Sequence, residues 1–176
     1  GDTLVLSGAG ANSVTVTAAE TITGGAADDA VTLTTAMVGG VVALDAGADS
    51  LVLANGANTL TVGGAETITG GSGADIVTLS TTATGATIAL GLGSDRLVLA
   101  NVANTLSVGA DVEAIIGGTG ADAVTFTASV TAASIQLGAG ADSLVLADGG
   151  NTLTVAGIET VTGGTGADVL TLAAGQ

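Results

Sequence analysis

The chain has 176 residues, sixteen acids against one base (Arg96), a net charge of −15 and a mean hydropathy of +0.74. It holds 30 Gly, one Phe and one Met, and no Trp, Tyr, Pro, Cys or His. This composition excludes nucleic acid and anionic membranes as direct partners, favours a multivalent cation, and lacks the His, Cys, Tyr and Lys groups that most catalysis uses. The apolar content of 47% argues against a disordered acidic chain once the charge is neutralised.

Read from the start, the chain repeats one unit: a glycine-rich corner, an aspartate, then a short apolar strand. Gly1-Asp2 leads into TLVL, and GGAADD (24–29) into AVTL. LDAGAD (44–49) leads into a strand ending LVL, and GGSGAD (70–75) into IVTL. LGLGSD (90–95), GGTGAD (117–122), LGAGAD (137–142) and a second GGTGAD (163–168) follow. The corner aspartates Asp2, Asp29, Asp49, Asp75, Asp95, Asp122, Asp142 and Asp168 are spaced 27, 20, 26, 20, 27, 20 and 26 residues apart. The underlying repeat is therefore 46 or 47 residues, one long segment and one short. Glu20, Glu66, Glu113 and Glu159 keep the same beat, as do Asn12, Asn58, Asn104 and Asn151.

Within each segment apolar residues alternate with period 2, which predicts strands and no helix. After each corner the second and fourth residues, such as Leu51 and Leu53 or Val77 and Leu79, point inward. A second strand follows a turn, and long segments add a third, as at Glu66 to Thr69. Small β-branched side chains in regular rows predict an all-β fold, a right-handed parallel β-solenoid of about eight coils. Its expected length is on the order of 40 Å. The corners are expected along a single edge, and residues 1–176 as one domain cut from a longer polypeptide.

The corner suits calcium. This hard cation takes six to eight oxygens, many from backbone carbonyls, and glycine lets the backbone turn sharply enough to present them. The candidate carbonyl donors are Gly25, Gly47, Gly71, Gly73, Gly91, Gly93, Gly118, Gly120, Gly138, Gly140, Gly164 and Gly166. The eight corner aspartates supply the charge, with Asp28 and Asp45 as possible extra ligands. Eight corners on one edge leave seven gaps, and seven Ca²⁺ would bring −15 to −1. The Asn series is expected to cap turns, and the Glu series to accept backbone N–H groups, remain solvated or ligate calcium distally.

GGSGADIVT and GGTGADVLT resemble the nonapeptide GGxGxDxUx of hemolysin-type RTX repeats, and AETIT and IETVT resemble the approach that precedes it. The resemblance implies a calcium-loaded β-roll in a secreted bacterial protein, exported by a type I route, such as a surface-layer protein, a large adhesin, or a toxin or exoenzyme. Outward residues Val5, Thr32, Val52, Thr78, Val98, Thr125, Val145 and Thr171 are expected to form one contact face for self-association. Ice binding through Thr rows such as Thr59/Thr61 and Thr152/Thr154 is the rival, weakened by Val41/Ala43, Thr87/Ala89 and Ser134/Gln136 in the intervening coils.

Overall fold

The computed structural model describes residues 1–173. They form nineteen strands and no helix, from β1 (Thr3–Val5) to β19 (Val169–Leu172). Odd-numbered strands make a ten-stranded sheet and even-numbered strands a nine-stranded one. Every strand pairs in parallel with the strand two places on. This is the parallel β-solenoid expected from the sequence, its strands making nine turns and a half where the corners suggest about eight.

One turn is short. Val31 pairs with Leu51, Leu51 with Ile68, and Ile68 with Ile88, steps of 20, 17 and 20 residues. A short segment such as β4 (Asp29–Leu33) plus β5 (Val38–Asp45) completes one turn. A long segment holds three strands, β6 (Ser50–Val52), β7 (Thr59–Gly63) and β8 (Thr67–Ser72), the last being the third strand foreseen at Glu66 to Thr69. Three strands make a turn and a half.

That half-turn corrects the single-edge expectation. Strands of the two sheets start on opposite long edges of the rod. The corners at Asp29 and Asp49 lead into β4 and β6 of the nine-stranded sheet. Those at Asp75 and Asp95 lead into β9 (Ile76–Leu79) and β11 (Arg96–Val98) of the ten-stranded sheet. Asp122 and Asp142 return to the first of these edges, and Asp2 and Asp168 lie on the other. The expected contact face divides likewise. Val5, Thr78, Val98 and Thr171 lie on the ten-stranded sheet, and Thr32, Val52, Thr125 and Val145 on the nine-stranded one. Successive 46- or 47-residue repeats are related by half a turn, so residues equivalent in sequence face opposite ways.

The core is a double row of aliphatic side chains between the sheets. Leu51, Leu53, Val77 and Leu79 are all buried, as the alternation requires, and Phe126 fills one rung. A fully buried aliphatic side chain contributes about 1.5–3 kcal/mol, and here it is gained only against the rungs above and below.

Three strands carry a bulge on entry, centred on Gly39, Gly85 and Ala132, with φ of 74°, 70° and 63°. Around Gly39 and Gly85 an added Cβ meets nothing, so at this position only the backbone conformation is selective. Left-handed φ costs a non-glycine residue about 1–2 kcal/mol, partly offset by the entropy lost on ordering a glycine. Ala132→Gly is therefore expected to stabilise the fold by about 0.5–1 kcal/mol, read from urea midpoints; a destabilised variant would contradict the strained-bulge account.

Candidate metal centres at the stacked corners

GGSGAD (70–75) and LGLGSD (90–95) lie one directly on the other. Gly71 pairs with Gly91, Ser72 with Leu92, and Ile76 with Arg96. GGAADD (24–29) underlies LDAGAD (44–49) through Gly25 and Asp45. GGTGAD (117–122) underlies LGAGAD (137–142) through Gly118 and Gly138. The glycines are required by packing. A Cβ on Gly70 would run into the Leu90 carbonyl, one on Gly91 into that of Gly71, and one on Gly93 into that of Gly73. Gly91 and Gly138 also have φ of 92° and 99°, and Asp45 takes this left-handed place with φ 70°.

The aspartates turn inward. Asp29, Asp49, Asp75, Asp95, Asp122 and Asp142 are each at most 2% exposed. One oxygen of each is engaged along the edge. The Asn58 backbone N–H and Nδ2 both donate to Asp75 Oδ1 at 2.8 Å, and the Asp75 N–H donates to Asp95 Oδ1 at 2.7 Å. The Asp95 N–H donates to Glu113 Oε2 at 2.7 Å, while Asn58 Oδ1 accepts from the Met37 N–H at 2.9 Å. The same chain of bonds runs from Ala83 through Asn104, Asp122 and Asp142 to Glu159. It runs again from Asn12 through Asp29 and Asp49 to Glu66.

The second oxygen is left over. Oδ2 of all six aspartates is buried without a hydrogen-bond partner. A buried carboxylate oxygen with nothing to accept is costly, and a cation is the partner that would repay it. Asp29 Oδ2 and Asp122 Oδ2 lie 2.7 Å from where a Cβ on Gly24 or Gly117 would stand, so the cradle is open only because those residues are glycine. Among the described residues no three acidic side chains converge. Each stacked pair thus offers two carboxylates and backbone carbonyls, the oxygen-only donor set that suits calcium. Burial, above all, pushes the Asp49, Asp95 and Asp122 carboxyls above their ordinary range; neighbouring acids add to it, and hydrogen bonds from Asp29, Asp75 and Asn104 respectively oppose it.

The accessory residues fall into clear roles. Asn58 caps its own turn, donating to the Ala54 and Gly56 carbonyls at 2.9 Å, as expected for the Asn series. Glu66, Glu113 and Glu159 accept the N–H of the corner aspartate one turn below, one of the roles open to them from sequence. Asp28 accepts the Ala48 N–H at 2.8 Å, and the Asp45 side chain is exposed. Among the described residues the corners at Asp2 and Asp168 lack a stacked corner; the Asp2 N–H donates to Glu20, and Asp168 Oδ1 accepts from Asn151. Sequence reasoning missed Asp111. Its Oδ2 accepts the Gly91 N–H at 2.7 Å and its Oδ1 is buried without a partner. The one signal for it was the extra residue between Asn104 and Glu113. Asp148 was missed too; hydrogen bonds from the Thr165 N–H and hydroxyl hold its carboxyl below the usual range.

Fold and corners together define a parallel β-solenoid whose edges hold pairs of buried, half-satisfied carboxylates in carbonyl-lined cradles. Residues 60–79 and 154–176 match the RTX calcium-binding nonapeptide repeat family (4 copies). In these stretches the chain is similar to RTX calcium-binding repeats, and calcium binding is what that similarity implies. Comparison with curated proteins and with solved structures finds no match.

Proposed function

We propose that this chain is a non-catalytic structural module of a secreted bacterial cell-surface protein, one that folds and assembles as it binds Ca²⁺. The ligands are the six buried corner aspartates and the glycine carbonyls beside them. The observation that carries the reading is the set of six buried corner carboxylates, each with one unpartnered oxygen. A calcium-triggered fold suits export through a type I route, because the acidic chain stays unfolded until it meets calcium outside the cell. The absence of cysteine is compatible with that environment.

Self-association follows from where the charge lies. Among the described residues only Asp29, Asp45 and Arg96 of the charged residues fall within strands. The broad faces of the rod are otherwise uncharged, mostly Thr, Ser, Ala, Val and Ile, while the acids line the edges. Lateral contact between faces becomes more favourable as calcium lowers the charge of those edges. Electron microscopy and sedimentation of the chain with calcium should show ordered sheets or filaments that dissolve in EGTA. A monomer under both conditions would remove the surface-layer or adhesin-stalk reading.

One observation supports the ice-binding alternative. Ser13, Ala30, Ser50, Thr67, Thr87, Ser107, Thr125, Val145 and Thr162 stand in one register row across the nine-stranded sheet, mostly hydroxyl-bearing. Thermal hysteresis of the calcium-loaded chain would promote that reading.

A further inference from the structure

Eight equivalent corners on one edge would offer seven gaps for ions; two edges do not. Among the described residues one corner lies directly on another at only three places: Asp29 with Asp49, Asp75 with Asp95, and Asp122 with Asp142. The next rungs on the same edge bring Glu113, then the turn at Val130, then Asn151, and none of these is a glycine corner.

Inside a pair the hydrogen bonds divide the carboxylate oxygens in one consistent way. Asp75 Oδ1 serves Asn58 and Asp95 Oδ1 serves the Asp75 N–H, so both Oδ2 atoms remain, buried and unpartnered. The relay closes the pair at both ends: Asn58 below is neutral and donates to Asp75 Oδ1, and Glu113 above is engaged with the Asp95 N–H. We infer that the stacked pair is the binding unit, that each pair is one closed calcium cage, and that the chain takes three ions rather than seven. Two cages lie on the edge that opens the nine-stranded sheet and one on the opposite edge. This inference rests on the calcium reading above.

No ion is shared between cages. On a shared edge four rungs separate Asp49 from Asp122, about 19 Å at the ~4.8 Å rung spacing. That is many times the ~2.3–2.6 Å of a calcium–oxygen bond. Three ions leave a net charge of −15 + 6 = −9, carried largely by acids that are exposed or already accept N–H groups.

The test is the calcium-to-protein ratio of the full chain, by equilibrium dialysis and elemental analysis. Three is expected. Asp95→Asn keeps an acceptor for the Asp75 N–H but removes the charge, so the ratio should fall to two with the β-sheet signal retained. Glu113→Gln and Asp168→Asn, outside the pairs, should leave it at three. These last two decide the matter if Asp95→Asn fails to fold. A ratio near seven, or loss of an ion in Asp168→Asn, overturns the pairing while leaving calcium binding intact. A ratio of zero overturns the calcium reading itself.

Discussion

Chelation of calcium with EGTA at neutral pH is expected to abolish the β-sheet circular dichroism of this chain, and re-addition of calcium to restore it. Six carboxylates at most 2% exposed are held in the folded state, each with an unpartnered oxygen. An uncompensated buried charge costs several kcal/mol, whereas a domain of this kind has only about 5–15 kcal/mol of net stability. No single turn stands alone, because its aliphatic rows are buried only by its neighbours, so the loss spreads along the rod. Acid should partly replace the metal. The Asp49, Asp95 and Asp122 carboxyls have folded pKa values raised above the ordinary 3.8, so the folded chain binds more protons than the unfolded one. Stability without calcium then falls as pH rises from 3.8 through the raised folded values, and lowering the pH from 7 toward 4 in a sample dialysed free of both calcium and chelator should recover signal. An EGTA-treated chain whose spectrum does not change would refute the account.

The second large effect concerns a residue that would never touch the metal. Asn58→Ala is expected to destabilise the calcium-loaded fold by about 3–5 kcal/mol, since each buried group left unpaired costs about 1–3 kcal/mol. Asn58 is fully buried and ties three turns together. Its Oδ1 takes the Met37 N–H, and its Nδ2 serves the Ala54 and Gly56 carbonyls and Asp75 Oδ1. Alanine strands the Met37 N–H and both carbonyls and loosens the oxygen that orients Asp75. Urea unfolding in saturating calcium measures it. A loss below about 1 kcal/mol would mean that water replaces the amide at little cost.

Much of this was legible in the residues. Alternation in LVL and IVTL placed Leu51, Leu53, Val77 and Leu79 in the core, and ETIT gave the third strand of the long segment. The Asn beat marked turn caps because an amide beside a glycine turn can donate to its carbonyls. What misled was the identity of the corners. GGSGAD and GGTGAD have the same local chemistry, so they read as neighbours on one edge, yet Asp75 and Asp122 lead into different sheets. Asp111 escaped because an inserted acid beside a glycine looks like a solvated turn until its carboxylate is seen over the Gly91 N–H.

By itself the sequence determined the strands, their inward rows, the glycine corners and the aspartate at each, because alternation and backbone freedom are properties of a few consecutive residues. Which corner meets which was decided only by the tertiary structure. A turn closes after two strands and 17 to 20 residues, so a three-strand segment carries the next corner to the far edge. That parity turns one imagined ladder of eight corners into separated pairs, and it is the pair that buries two carboxylates with an oxygen each to spare.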